Sequence, residues 1–196
     1  MSFVDTVESP SPVLRARRIL ILGSPGSGKS TLSRRLGAVV GVDPIDLDMI
    51  AEVAYRSGQP RPIAPLIAAA ERIAGEREWI VEGVFTAWTQ LLVRTATDVV
   101  ILRTSLALCL WRVIRRHFQK GIRNPHGGLR RLVAFCMEII DYHRNQDEQP
   151  HWPDNPDRTT LAATIRFAEV GDRVAVLSNA REVQRFVDSM RSQLGH

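Results

Sequence analysis

The residues with the clearest chemistry run from Gly23 to Thr31 and read GSPGSGKST. Gly23 to Ser30 fit the pattern G-x-x-x-x-G-K-[ST] at every fixed position. Gly23, Gly26 and Gly28 let the backbone turn so that successive N–H groups converge on phosphate oxygens, with Ser24, Pro25 and Ser27 filling the turn. In such a cradle Lys29 reaches the β- and γ-phosphates of a nucleotide. Ser30 offers its hydroxyl to Mg²⁺, and Thr31 adds a contact to the α-phosphate. The pattern needs a strand before it and a helix behind it, whose positive end adds to the anion site. The apolar run Ile19–Leu22 supplies the strand, and a helix is expected over about 28–40.

A magnesium site also needs a carboxylate at the end of a neighbouring strand, bound directly or through water. Glu82 closes the apolar stretch EWIVEG, and Asp46 and Asp48 follow an expected second strand at 42–45. For Asp48, which begins a helix, capping and service to the site are equally good readings. A third feature is charge. No Asp or Glu occurs from Arg103 to Met137, a span that holds Arg112, Arg115, Arg116, Lys120, Arg123, Arg130 and Arg131. Arg112, Arg115 and Arg116 share one helix face. Clustered arginines repel one another unless an anion joins them. An arginine helix followed by a glycine-containing loop therefore suggests a lid, about 112–131, over a transferring phosphoryl group. A solvated basic face and a nucleic-acid patch are the less favoured readings.

The elements that must position these groups alternate between strand and helix. EWIVEG and DVVILR read as the third and fourth strands and RVAVL as the fifth. Helical patterns cover two stretches between Asp48 and Gly75, then TAWTQLLVRTA, 105–120 with Ser105 as candidate cap, 129–145, 159–170 and 180–194. GQPRP, GIRNPHGG and QPHWPDNPD read as breaks and loops. Alternation of this kind makes an α/β fold, a parallel sheet between two helical layers. Residues 1–16, with Pro10 and Pro12, read as a flexible extension, and 17–196 as a single domain.

Bulk properties agree with one globular domain. The chain has 196 residues, 44% hydrophobic and 24% charged, and a formal charge of +5. Cys109 and Cys136 lie far apart without CxxC spacing, which predicts buried, reduced thiols. The N-terminus carries Asp5 and Glu8 without an apolar core, unlike a secretory signal. No apolar run has the length a membrane helix needs, and a cytoplasmic location is the default. Trp79, Trp88, Trp111 and Trp152 are expected in the core or at interfaces. Phe85 and Trp88 are equally good as core or as pocket lining. His117, His126, His143 and His151 show no metal-ligand spacing.

Taken together, GSPGSGKST, DLDMI, WIVEGVF, DVVILRTSLALCLWRVIRR, a lid-sized loop and RVAVLSNAREVQRFV resemble the P-loop nucleoside and nucleotide kinase superfamily. The chain looks closest to small adenylate-kinase-related proteins often labelled DNA topology modulation proteins. The resemblance covers roughly residues 17–194. It implies a five-stranded parallel sheet in the order 2-3-1-4-5, a three-layer sandwich with an arginine-bearing lid. It implies that Glu82 holds Mg²⁺ through water, that Arg112 stacks on adenine and that Arg116, with Arg115 nearby, grips phosphates. Asp46 and Asp48 fall at the start of the acceptor region, and 178–180 should border the adenine. One departure stands out. Adenylate kinases follow the third strand with Phe-Pro-Arg, whose arginine grips the acceptor phosphate, whereas Gly83 is followed here by Val84, Phe85, Thr86 and Ala87. This counts against a nucleoside monophosphate acceptor, with Arg56, Arg61, Arg123 and Arg144 as candidate substitutes.

The expected function is an ATP-dependent phosphotransferase that binds Mg-ATP and a small-molecule acceptor, as a monomer or homodimer. Lys29, Arg112 and Arg116 would neutralise the transferring group. Asp48 would orient or deprotonate an acceptor hydroxyl. The alternative is a non-catalytic or weakly hydrolysing ATP-binding regulator acting on DNA or a protein partner, which no DNA-reading motif supports. A signalling GTPase is disfavoured by the lack of Asn-Lys-x-Asp, and a transport ATPase by the lack of Leu-Ser-Gly-Gly.

Overall fold

Continuous apolar runs become parallel strands because helices must cover both of their faces. In the computed structural model the described residues are 17–55, 63–121, 128–147, 159–169 and 173–194. The expected extension 1–16, the proline-rich loop 149–157, most of the GIRNPHGG loop, and Arg56, Arg61, Arg123, His126, His151 and Trp152 lie outside them. The strands are β1 (Arg18–Gly23), β2 (Pro44–Asp46), β3 (Trp79–Gly83), β4 (Asp98–Leu102) and β5 (Val174–Leu177). They form one parallel sheet in the order β2-β3-β1-β4-β5. β1, β3 and β4 sit centrally, with β3 and β4 buried along their whole length.

Eight helices complete the described chain: α1 (Lys29–Val40), α2 (Leu47–Tyr55), α3 (Ala64–Gly75), α4 (Gln90–Thr95), α5 (Leu106–Gly121), α6 (Leu129–Arg144), α7 (Leu161–Ala168) and α8 (Ala180–Gln193). Alternate side chains of each strand serve opposite layers. Ile19, Ile21 and Val100 pack with Leu32 and Leu36 of α1 and Val187 and Met190 of α8. Leu20, Leu22, Val81 and Ile101 pack on the other side with Leu47, Leu66, Leu92 and Ala168. A third cluster, Cys109, Val113, Leu132 and Ile139, joins α5 to α6 beside the sheet. Among the described residues no helix is long and apolar enough to cross a membrane.

Several expectations shift, each for a local reason. β2 occupies 44–46 rather than 42–45, so Asp46 lies within the strand. Of the stretch TAWTQLLVRTA only Gln90–Thr95 is helical, because Trp88 turns inward onto Phe85 as a tilted ring pair, with centroids 5.2 Å apart. The helix expected from Thr159 begins at Leu161, because the Thr160 hydroxyl accepts the Ala163 N–H as N-cap. Cys109 is buried as expected, but Cys136 is only half-buried. Trp79 and Trp88 are buried, whereas Trp111 is 55% exposed under the Arg115 guanidinium.

The amino-terminal edge of the sheet is closed by charge. Asp98, buried at the start of β4, faces Arg17 at 3.5 Å and Arg173 at 3.6 Å and accepts the Thr97 hydroxyl at 2.9 Å. Arg17 is buried as well. Replacing Asp98 by Ala leaves that guanidinium without its acid. The expected cost is about 3 kcal/mol of folding stability, read from urea unfolding. An unchanged midpoint would show that water solvates Arg17 there and that the pair is dispensable.

Candidate active site

The opposite, carboxyl edge of the sheet carries the candidate site residues, where parallel α/β sheets open their ligand crevices. The loop between β1 and α1 turns at Gly26 (φ 80°) and Gly28 (φ 107°), both in the region closed to side chains. Gly26 has a second constraint: a Cβ there would lie 2.6 Å from the Cys109 carbonyl oxygen on α5. The loop is therefore moulded against α5. The Arg112 guanidinium donates to the carbonyls of Gly26 (3.1 Å) and Ser27 (3.0 Å), and the Thr104 hydroxyl donates to the Ser27 carbonyl (2.9 Å). With those carbonyls held, the N–H groups of Gly26, Gly28, Lys29 and Ser30 find no backbone acceptor among the described residues. The Ser27 hydroxyl is also buried with no partner among the described residues. Unpaired donors at a helix N-terminus are what an anion requires. The loop fits nucleotide phosphates on these grounds.

Lys29 begins α1, is 7% exposed, and donates to the Ser24 carbonyl at 3.3 Å. Burial lowers its pKa, against the pull of Asp48 first, then Glu82 and Asp46. Glu82, buried at the end of β3, is pushed above the usual carboxylate range by desolvation, with the Ser30 hydroxyl and Lys29 opposing. The Ser30 hydroxyl and the Glu82 carboxylate thus lie side by side, a hard-oxygen pair of the kind Mg²⁺ takes.

The carboxylates of the acceptor end divide their labour. Asp46 accepts the Asp48 N–H at 2.8 Å, the capping bond of the first turn of α2. Asp48 lines a cavity of about 1250 Å³, together with Lys29, Ser30, Thr31, Glu82, Arg112 and Arg116. The structure thus brings these expected site residues around one space. Arg115 lies elsewhere, 5.2 Å over the Trp111 ring. Residues 178–180 sit at the start of α8, where Asn179 caps the helix and Ser178 donates to Glu182. They do not line this cavity.

Of the far wall only Phe85 was expected, as one of two equal readings; Trp88, its companion in that expectation, is buried and does not line the cavity. Val84 and Phe85 after β3, Thr159 before α7, and Phe135, Glu138, Asp141 and Tyr142 of α6 complete the cavity. Thr104 and His143 also escaped the sequence reading. Thr104 could have been found by its place just past the end of β4. On α6 the polar run Asp141-Tyr142-His143 marks a polar helix end but does not point to the partner that His143 meets.

Comparison with known proteins follows this geometry. No protein-family model matches the chain. Shikimate kinases of Mycobacterium avium (strain 104) and Mycolicibacterium paratuberculosis (strain ATCC BAA-968 / K-10) are each 44% identical over 64 residues, which is 33% of this chain. The match spans only 32% of the length of those relatives. Among solved structures, shikimate kinase from Bacteroides thetaiotaomicron aligns with a TM-score of 0.56 at 15% identity, covering 92% of this chain and 99% of that one. Shikimate kinase from Acinetobacter baumannii, in complex with shikimate, gives 0.52 at 14% identity, covering 94% and 97%. A gluconokinase from Sinorhizobium meliloti 1021 gives 0.50 at 17%, covering 93% of each chain. The chain shares the fold of these solved kinases, a five-stranded parallel sheet in the order 2-3-1-4-5 between helical layers.

The electrostatics predict a trade between stability and the site. Glu82 holds a proton more tightly folded than unfolded, so its charged form opposes folding and wild-type stability rises as pH falls through the folded pKa. Glu82→Gln should therefore melt higher than wild type without nucleotide at neutral pH. The gap should close as the wild-type carboxyl protonates. Thermal scans across pH test this, and a lower melting point for Glu82→Gln at neutral pH would mean that its pairing with Lys29 outweighs its burial.

Proposed function

We propose that this protein is a kinase that moves a phosphoryl group from Mg-ATP to a hydroxyl of a small molecule. The observation that carries the reading is the meeting of Lys29 and Asp48 in one cavity, where the Asp48 charge, ahead of Glu82 and Asp46, opposes the lowering of the Lys29 pKa. Lys29, the loop N–H groups, Arg112 and Arg116 would hold the nucleotide phosphates, and Ser30 and Glu82 the metal. When bound, Mg-ATP supplies the phosphoryl group and a divalent charge beside it. Asp48 takes the acceptor's hydroxyl proton as the oxygen becomes the nucleophile. Lys29 and the arginines balance charge on the group in flight. The kinases with this fold named above act, by their names, on shikimate and gluconate, which is consistent with an alcohol acceptor. The absence of arginine at 84–87, where Phe85 lines the cavity instead, further favours an alcohol over a nucleoside monophosphate. We infer a cytoplasmic setting.

ADP release from Mg-ATP should be stimulated by a member of a panel of hydroxy acids, polyols and nucleosides, and not by nucleoside monophosphates. Lys29→Ala should abolish it. Asp48→Asn should lower kcat by about 10²- to 10⁴-fold with nucleotide affinity nearly unchanged. Lys29-dependent nucleotide binding with no stimulation by any alcohol would favour the regulatory alternative. Stimulation by a monophosphate would overturn the hydroxyl assignment.

A further inference from the structure

The phosphate loop has a second support, from α6, that the reaction above does not use. The His143 Nε2 lies 3.1 Å from the Ser24 hydroxyl, which is 1% exposed. That hydroxyl has one proton and three neighbours able to accept it: the His143 nitrogen, the Cys109 sulfur at 3.3 Å and the Pro25 carbonyl at 3.4 Å. An imidazole lone pair is the nearest and the best of these, since sulfur accepts weakly. The same residue, Ser24, gives its carbonyl to the Lys29 ammonium. A single residue therefore joins helix α6 to the cationic centre of the site.

The last turn of α6 is itself anchored. Tyr142 is buried, donates its hydroxyl to Thr164 on α7 at 3.1 Å, and sets its ring edge-on to His143 with centroids 5.4 Å apart. Burial lowers the His143 pKa and so favours the neutral ring, in which Nε2 accepts when the proton sits on Nδ1. We propose that His143 is a positioning residue of the phosphate loop, holding the Ser24 hydroxyl and through it the Ser24 peptide that receives the Lys29 ammonium. The role rests on the reading of Lys29 as a phosphate ligand. It follows from preorganisation: a serine fixed on its side chain cannot swing its carbonyl away from the lysine, so nucleotide binding need not order it. Because Phe135, Glu138 and Asp141 on the same helix line the far wall, the bond also ties that wall to the cradle.

The test is Mg-ADP affinity by calorimetry on the full chain, with imidazole nitrogen NMR of the nucleotide-free protein. His143→Leu should weaken Mg-ADP about three- to tenfold, the range of one hydrogen bond. Ser24→Ala should lose a similar factor, and the double variant no more than either. His143→Gln, which keeps an acceptor, should bind within about twofold of wild type. The His143 Nε2 resonance should report an unprotonated acceptor that shifts in Ser24→Ala. Lys29-dependent binding that His143→Leu leaves intact, multiplying losses in the double variant, or a resonance unmoved by Ser24→Ala would each overturn the proposal alone. Equal Mg-ADP binding by wild type and Lys29→Ala would overturn the nucleotide reading, and the proposal with it.

Discussion

Lys29 holds an ammonium group buried at the carboxyl edge of the sheet, and the neighbouring design follows from that charge. Removing a cation from water is costly unless acids or dipoles replace the solvent. Asp48, Glu82 and Asp46 stand where β2, β3 and α2 meet the loop, and their charges oppose the lowering of the lysine's pKa by burial. Glu82 is buried in turn and carries its own desolvation. The arrangement is strained in electrostatic terms while it stands alone. On the proposed reading, an anion bound with a divalent cation would add the charges that each partner lacks. A site of this kind stores binding energy at some expense to the stability of the free fold.

The loop around Lys29 is not shaped by its glycines alone. Positive φ at Gly26 and Gly28 permits the turn, but α5 determines which way the peptides face. Arg112 and Thr104 take the Gly26 and Ser27 carbonyls, and the Cys109 backbone presses so closely on Gly26 that no side chain fits. The arginine-rich helix thus has a constructive part in the cradle besides any contact it makes with nucleotide. Arg112 belongs to the loop's own hydrogen bonding, Arg116 faces the cavity, and Arg115 lies on Trp111. Three arginines on one stretch of helix perform three different tasks, which helical spacing by itself does not separate.

That difference marks how far the sequence could be read. The strands β1, β3 and β4 were legible because a strand covered on both faces must be apolar throughout, and the loop was legible because few sequences answer its geometry. The position of Glu82 followed from the end of β3. The roles of Asp46 and Asp48 did not, since both are acids beside a helix start, and only the 2.8 Å bond from the Asp48 N–H shows which one caps. The helix expected over 86–96 forms only at Gln90–Thr95, since Trp88 fits the helical pattern yet packs inward on Phe85. His143 was illegible for a deeper reason. Its partner is Ser24, 119 residues away, and no local pattern reports a contact made by folding α6 over the loop.

The acceptor end is where these two kinds of information meet. An arginine after β3 would have announced a second phosphate, but the chain places Val84 and the buried Phe85 there. Phe85 packs against Trp88, and the Thr89 hydroxyl closes the turn on the Phe85 carbonyl, so the segment is built as a wall. An apolar wall selects the body of a ligand by shape and leaves orientation to a few polar groups. In this cavity those groups include Asp48 near Lys29 and Thr159, whose hydroxyl meets that of Thr86. A hydroxyl brought between Asp48 and the cradle would lose its proton to the carboxylate on one side. The lysine on the other side would balance the charge that its oxygen carries forward. The same carboxylate facing an acceptor phosphate would meet like charge and repel it. The placement of Asp48 therefore supports the proposed alcohol acceptor through the same negative charge that opposes the lowering of the Lys29 pKa.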